Sequence, residues 1–130
     1  MEFIHQKPVI NVVAAVIKEE KKFFIAQRNR KKDFGLNWEF PGGKVESGET
    51  FEGALKREIK EELKVSILIE SKITEVPYRD ESLNILLHYY LCKKLGDIKL
   101  IEHEKGAWVS KSDLYKFKFA PGDRLILKHL

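Results

Sequence analysis

The chain has a single cysteine and no long hydrophobic run, which argues against a disulfide-stabilised or membrane-spanning protein. Cys92 is the single cysteine among 130 residues, so an internal disulfide is excluded. No apolar stretch approaches the roughly 18–20 residues that a membrane-spanning helix needs. Residues 1–8 lack the basic-then-apolar pattern of a signal peptide. These features predict a cytoplasmic protein with no membrane partner.

The sequence also lacks a long block of like charge. It has 24 Lys and Arg against 20 Asp and Glu, which gives a net charge of +4 and a pI near 9.1, and the basic residues are dispersed. This mild excess suits a polyphosphate ligand, and we expect no stable nucleic-acid partner. A hydrophobic content of 43% in a chain of this length predicts a single domain over residues 1–130.

The pattern of apolar residues predicts several strands and a central helix. Residues 9–17 are rich in β-branched side chains and predict a buried strand, with residues 23–28 as its hairpin partner. Further extended segments are expected at residues 38–40, 65–69, 72–76 and 83–92, and short helices at residues 110–114 and 124–130. Strands that flank a helix place the chain in the α/β class.

A glycine-rich stretch leads into the central helix. Pro41-Gly42-Gly43 predicts a tight turn whose backbone carbonyls can face a ligand. Thr50 is a suitable N-cap, because its hydroxyl can accept a hydrogen bond from a free N–H group of the first turn. The apolar residues of this helix recur every four positions and predict one buried face, formed by Phe51, Leu55, Ile59 and Leu63.

A second face of the same helix carries carboxylates. Glu58, Glu61 and Glu62 stand at i, i+3 and i+4, and Glu49 lies just before the helix. Such a cluster needs a counter-charge, which Arg57 supplies in part and a divalent ion would supply better. An oxygen-only ligand set suits Mg²⁺ or Mn²⁺. The alternative is a solvated amphipathic helix without a metal.

The spacing of these residues resembles the signature of the Nudix hydrolases. Gly43, five residues, Glu49, seven residues and then Arg57-Glu58-Ile59-x-Glu61-Glu62 follow the family pattern, which spans 43–65 here. Lys64 departs from it, because the family has a glycine that ends the helix at this place. The neighbouring segment Trp38-Glu39-Phe40-Pro41-Gly42-Gly43-Lys44-Val45-Glu46 is similar to the MutT branch.

This resemblance implies an α/β/α sandwich around a mixed β-sheet and a metal-dependent hydrolase of phosphoric anhydrides. The implied metal ligands are Glu58, Glu61 and Glu62 with the carbonyl of Gly42 or Gly43. The implied general base is Glu58, with Glu102 as the second candidate because it stands six residues before Trp108. Arg57 and Glu49 are expected to pair and to support the carboxylates.

The resemblance also implies residues that bind the nucleotide. Arg28 is expected beside the base and Lys44 beside the phosphates. Asp123 stands where MutT has asparagine, and two interpretations are open: it contacts the base, or it caps the last helix. His103 is interpreted as structural, since a lone histidine seldom carries catalysis.

The leading substrate is an oxidised nucleoside triphosphate such as 8-oxo-dGTP. The alternative substrate is CTP. An alternative of another class is a non-catalytic module that binds nucleotides or RNA.

Overall fold

The sheet is organised around β1 (Ile10–Glu19), whose β-branched residues are buried on both faces of the sheet. The computed structural model describes residues 8–130. β1 forms an antiparallel hairpin with β2 (Lys22–Gln27) on one side and a parallel pair with β6 (Asn84–Lys94) on the other. The parallel pair makes the sheet mixed, as the family resemblance implied.

Four more strands complete the sheet at its two edges. Two of them pair with β2, one pairs with β1 and one pairs with β6, all antiparallel. These strands are β3 (Trp38–Glu39) and β7 (Lys105–Ser110) beside β2, β4 (Gly42–Lys44) beside β1, and β5 (Ile67–Arg79) beside β6. The helices are α1 (Phe51–Leu63), α2 (Lys111–Leu114) and a C-terminal 3-10 helix (Asp123–His129).

Two hydrophobic cores lie on opposite faces of the sheet. Alternate residues of a strand point to opposite faces, so β1 contributes to both cores. Helix α1 covers the first core, in which Val13, Ala15 and Ile17 meet Leu55, Ile59 and Leu63. The second core lies under α2 and the 3-10 helix, where Ala14, Val16 and Ile25 meet Leu114, Ile126 and Leu127. The predicted α/β/α sandwich is therefore confirmed.

Helix α1 begins and ends through identifiable backbone interactions. The Thr50 side chain accepts a hydrogen bond from the Gly53 N–H at 3.0 Å, as the sequence predicted. The helix ends at Lys64, whose φ of 54° and ψ of 34° place it in the left-handed region. A lysine thus occupies the conformation that favours glycine.

Two local predictions need correction, and a third is refined. The segment Pro41-Gly42-Gly43 is not a tight turn, because Gly42 and Gly43 belong to β4 and pair with β1. The extended structure predicted at residues 65–69 and 72–76 is confirmed from Ile67 onwards, where both segments belong to the single strand β5 with register shifts near Ile69 and Lys72. The last helix is of the 3-10 type and begins at Asp123. Of the predicted domain, residues 1–7 lie outside the described residues.

Among residues 8–130, no helix has the length and apolar character needed to cross a membrane.

The left-handed end of α1 predicts opposite effects for one substitution at two lysines. Lys64→Gly should raise the free energy of unfolding by about 0.5–1 kcal/mol, because relief of left-handed strain exceeds the added entropy of the unfolded chain. Lys56→Gly, at an exposed position inside α1, should lower it by about 1 kcal/mol. Urea denaturation of both variants in EDTA measures the two effects. Equal losses at the two positions would contradict the conformation assigned to Lys64.

Candidate active site

The backbone of β4 lies directly against the carboxylate of Glu58. A Cβ atom added to Gly43 would meet the carboxyl carbon of Glu58 at 2.4 Å and its oxygens at 2.5 and 2.7 Å. A Cβ added to Gly42 would meet the carbonyl oxygen of Val13 at 1.8 Å. Both glycines are therefore required by close approach, Gly42 to β1 and Gly43 to a side chain of α1.

The pairing of β1 with β4 distinguishes the carbonyls of the two glycines. Hydrogen bonds join Val45 to Asn11 and Ala15 to Pro41 across this pair. Hydrogen-bonded pairs recur at every second residue of an antiparallel ladder, so Gly43 and Val13 form the bonded pair between them. The Gly42 carbonyl then points away from β1. This geometry favours Gly42 over Gly43 as a carbonyl ligand for a metal.

Arg57 connects the loop after β4 to the carboxylates of α1. Its guanidinium binds both carboxylate oxygens of Glu49, at 2.7 and 2.9 Å, and Glu58 at 2.9 Å. It also donates to the carbonyl oxygen of Lys44 at 3.1 Å. The hydrogen bonds from Arg57 lower the pKa of Glu49 to about 2, and the bonds to Glu49 raise the pKa of Arg57. Arg57 and Glu49 therefore pair as expected, and Arg57 orients Glu58.

Glu62 is the buried carboxylate of the cluster. Its residue is only 5% exposed, and its Oε2 has no hydrogen-bond partner. Burial is the largest influence on its pKa, followed by the negative charges of Glu39, Glu58 and Glu102, and together they raise it to about 9. In the metal-free protein this carboxyl group therefore binds a proton near neutral pH.

The other two predicted carboxylates are more exposed. The side chain of Glu61 is 58% exposed and lies 3.3 Å from Arg57. The side chain of Glu102 is 49% exposed and pairs with Lys32 at 3.2 Å. Glu102 lies near enough to influence Glu62 electrostatically, but its contact in this structure is with Lys32. Of the two candidates for general base, Glu58 is thus bound by Arg57 among the carboxylates of α1, whereas Glu102 is bound by Lys32 outside this group.

Sequence reasoning missed a contact between Glu39, His103 and Glu62. His103 Nε2 lies 2.8 Å from Glu39 Oε2 and 3.7 Å from Glu62 Oε1. Arg28 binds the second oxygen of Glu39 at 2.6 Å. Burial favours the neutral form of Glu39, but the bonds from His103 and Arg28 prevail and lower its pKa. The sequence offered one indication of this contact. His103 directly follows Glu102, a candidate general base, and neighbouring residues lie close to the same site.

A cavity of about 280 Å³ is lined in part by β4 and by Glu39. Its volume is near the lower end of small-molecule sites. Arg28, Lys44 and Asp123, the residues predicted to bind substrate, line it together with Gly42 and Gly43 of β4. Apolar side chains complete the wall, namely Phe34, Phe40, Tyr78, Leu83, Ile85 and Leu87.

Asp123 is buried in the wall of this cavity. Its Oδ2 accepts a hydrogen bond from the Phe40 N–H at 3.1 Å, and its Oδ1 accepts one from the Tyr89 hydroxyl. Burial raises the pKa of Asp123 to about 7, against the opposing effect of the Tyr89 hydrogen bond. The N-cap of the 3-10 helix is Gly122, and no side chain caps it. The interpretation of Asp123 as a helix cap is therefore wrong.

Comparison with known proteins identifies the family. The model of the NUDIX domain matches residues 7–130. The chain belongs to the NUDIX family. The 8-oxo-dGTP diphosphatase of Haemophilus influenzae is 32% identical over 126 residues, which cover 95% of this chain and 93% of that protein. The CTP pyrophosphohydrolase of Escherichia coli is 32% identical over 121 residues, which cover 92% and 90%.

Solved structures agree with this assignment. The MutT protein of methicillin-resistant Staphylococcus aureus 252, a NUDIX hydrolase, is 38% identical to the chain with a TM-score of 0.78, and the match covers 95% of each chain. The ORF135 protein of E. coli is 32% identical with a TM-score of 0.85, and the match covers 93% of this chain and 87% of that one. The protein is a MutT-like NUDIX hydrolase that acts on phosphoric anhydrides.

NUDIX hydrolases use divalent metal ions, and the residues of this site fit one. The carboxylates of Glu58 and Glu62 are oxygen donors of the kind that hard divalent ions prefer. The buried Glu62 Oε2 lacks a partner, which a cation would supply. Two observations therefore support a divalent ion at this site: the oxygen donors of Glu58 and Glu62, and the unpaired Oε2 of Glu62.

The close contact at Gly43 predicts a loss of activity with little loss of stability. Gly43→Ala should displace the flexible end of Glu58 and lower Mg²⁺-dependent nucleotide hydrolysis by at least about 100-fold, since small misplacements of a catalytic group have effects of this size. Steady-state kinetics and thermal melting test this together. Gly53→Ala, on an exposed turn of α1, is the control and should retain activity. An active Gly43→Ala enzyme would contradict the role given to the position of Glu58.

The raised pKa of Glu62 predicts how pH affects the metal-free protein. The folded protein holds the Glu62 proton more tightly than the unfolded chain does. The contribution of this proton to the free energy of unfolding is therefore complete below about pH 4.5 and is lost as the pH rises towards 9. Glu62→Gln, which mimics the neutral acid, should weaken this loss. Urea denaturation in EDTA between pH 5 and about 9 compares the two proteins, with Glu61→Gln as the exposed control. Identical pH profiles for the wild type and Glu62→Gln would refute the assignment.

Proposed function

We propose that this protein hydrolyses nucleoside triphosphates to the monophosphate and pyrophosphate with Mg²⁺ or Mn²⁺, and that 8-oxo-dGTP is its leading substrate. The observation that carries the proposal is the position of β4. One side of β4 lines the cavity with Arg28 and Asp123, and Gly43 of the same strand touches Glu58. If the base of a nucleotide binds in the cavity, its phosphates would lie along β4 and reach the carboxylates of α1.

The proposed metal ligands are Glu58, Glu61 and Glu62 with the carbonyl of Gly42. A bound divalent ion neutralises phosphate charge and lowers the pKa of a coordinated water. Glu62 is buried next to Glu58, whereas Glu61 must turn from Arg57 to take part. We therefore expect Glu58 and Glu62 to contribute more to metal affinity than Glu61.

Glu58 is the proposed general base. Its carboxylate is fixed by Arg57 and by the backbone at Gly43, so it can accept a proton from a water in a defined direction. Glu102 would first have to leave Lys32. Arg57 and Glu49 act as positioning residues, because both work through Glu58 rather than on the substrate.

Arg28 and Lys44 are the proposed cationic contacts for the nucleotide. Arg28 is held by Glu39 and by the carbonyl of Asp33, which fixes its guanidinium at the cavity wall beside the base. Lys44 is exposed at the end of β4 that leads to the carboxylates, where a phosphate chain would lie. We assign both roles to one domain over residues 1–130, acting in the cytoplasm on a small-molecule substrate.

Asp123 is the proposed determinant of base preference. With a pKa near 7, its carboxyl group can donate to the O6 acceptor of 8-oxoguanine when protonated, and accept from the amino group of cytosine when ionised. The relatives' names include both substrate types, an 8-oxo-dGTP diphosphatase and a CTP pyrophosphohydrolase. CTP is therefore the second candidate substrate.

A nucleotide panel with Mg²⁺ or Mn²⁺ tests the proposal. Hydrolysis of 8-oxo-dGTP, dGTP, CTP and dCTP is followed by phosphate release in the presence and absence of inorganic pyrophosphatase. Phosphate that appears only with pyrophosphatase shows that pyrophosphate is the product. No turnover of any nucleotide with either ion would favour the non-catalytic binding module.

The environment of Asp123 predicts a change of substrate preference in one variant. Asp123→Asn keeps an oxygen for the Phe40 N–H and adds an NH₂ group, towards which the Tyr89 hydroxyl can turn its lone pair. The variant should raise kcat/KM for 8-oxo-dGTP relative to CTP by about tenfold, roughly the value of one hydrogen bond. Kinetics with both nucleotides at a fixed Mg²⁺ concentration measure this ratio.

Tyr89→Phe is the matched control for that prediction. It removes one hydrogen bond to Asp123 but keeps the carboxyl group in the cavity wall. Its ratio of kcat/KM values should move less than that of Asp123→Asn. If Asp123→Asn changes only the melting temperature and leaves the ratio as in the wild type, Asp123 does not contact the base.

A further inference from the structure

Two neighbouring buried side chains each carry an unsatisfied polar atom. Within residues 8–130, two buried side-chain atoms lack a hydrogen-bond partner, Glu62 Oε2 and His103 Nδ1. Both side chains are more than nine-tenths buried, and they lie within 3.7 Å of each other. Proteins satisfy nearly all such groups, so the unpaired Oε2 of Glu62 indicates that this carboxylate has a partner beyond the protein itself. The contacts of His103 within the cluster are made by Nε2, not by the unpaired Nδ1.

The geometry of the cluster suits a small cation. One ligand atom from each of Glu39, Glu62 and His103 lies within 4.8 Å of the others. The separations from His103 Nε2 are 2.8 Å to Glu39 and 3.7 Å to Glu62. In a tetrahedral site with bonds of about 2.1 Å, ligand atoms stand about 3.4 Å apart. The two separations from His103 lie on either side of that value, and all three ligand atoms lie within 4.8 Å of one another, so one cation can reach all three side chains after they adjust.

The chemistry of the cluster differs from that of the Glu58 site. An imidazole nitrogen with two carboxylates suits Zn²⁺, Co²⁺ or Mn²⁺, whereas Mg²⁺ prefers oxygen ligands and retains its waters. Glu39 is oriented by Arg28, which binds the oxygen that faces away from His103. Such an oriented carboxylate is typical of metal ligands with outer support.

We propose that Glu39, Glu62 and His103 form a second cation site, which binds Zn²⁺ or Co²⁺ in preference to Mg²⁺. Glu62 belongs to this site and to the proposed Mg²⁺ site, so occupation by Zn²⁺ withdraws a carboxylate from the catalytic ion. Zn²⁺ should therefore inhibit hydrolysis, and added Mg²⁺ should only partly relieve the inhibition. The site itself does not depend on which nucleotide is the substrate.

Co²⁺ titration of the tag-free protein tests the site directly, because bound Co²⁺ is visible in the absorption spectrum. The wild type should show saturable visible bands that equimolar Zn²⁺ removes and millimolar Mg²⁺ does not. His103→Gln should weaken Co²⁺ binding by at least about tenfold, the lower end of the loss that follows from removing outer support alone. His129→Gln, which changes an exposed histidine of the C-terminal 3-10 helix, is the matched control and should bind as the wild type does.

Three further outcomes decide the proposal. Glu39→Gln removes a ligand charge at the far side of the cluster and should also weaken Co²⁺ binding, which tests the site even if His103→Gln fails to fold. Equal Co²⁺ binding by the wild type and both variants would overturn the proposal and leave His103 as a hydrogen-bond partner of Glu39 that lies beside Glu62. Absence of saturable Co²⁺ and Zn²⁺ binding to a wild type that hydrolyses nucleotides with Mg²⁺ would overturn it too, without affecting the proposed function.

Discussion

The site depends on how Arg57 compensates the carboxylates around it. One guanidinium binds Glu49 through two hydrogen bonds, Glu58 through a third and the backbone of Lys44 through a fourth. Without this charge, Glu58 and Glu61, which both contact Arg57, would repel each other at i,i+3 spacing. The same bonds fix the loop between β4 and α1, so the contact that offsets the repulsion also places Gly43 against Glu58. Arg57 thus both compensates the negative charge and fixes the backbone next to it.

Arg57 does not contact Glu62, the buried carboxylate of the cluster. The negative charge of Glu62 is instead neutralised by a bound proton. Glu62 is surrounded by the carboxylates of Glu39, Glu58 and Glu102 in a region with little water, so its pKa rises to about 9. A metal ion must displace this proton, which makes metal binding more favourable as the pH increases. The fold therefore keeps a buried acid neutral until a cation arrives, and the cost of burying a bare carboxylate is avoided.

Much of this arrangement follows from local sequence rules, and the rest depends on contacts that are distant in sequence. The spacing of Phe51, Leu55, Ile59 and Leu63 and the hydroxyl of Thr50 act within one helix, so both were predictable. Gly42 and Gly43 were predicted to form a turn because glycine favours turns, but the decisive force is the close approach of β1 and Glu58. His103 was missed because its partners Glu39 and Glu62 lie 64 and 41 positions away, and a single histidine has no periodicity.

The cavity and the carboxylate cluster are physically connected, and the connection is a chain of ionisable groups. Arg28 at the cavity wall binds Glu39, Glu39 binds His103, and His103 lies beside Glu62. A nucleobase that draws Arg28 away from Glu39 would strengthen the bond between Glu39 and His103, since the carboxylate would lose its other partner. A cation bound by His103 and Glu39 would in turn compete with Arg28 for the negative charge of Glu39. The proposed base contact and the proposed cation site therefore share Glu39, and any coupling between them would be reciprocal by linkage.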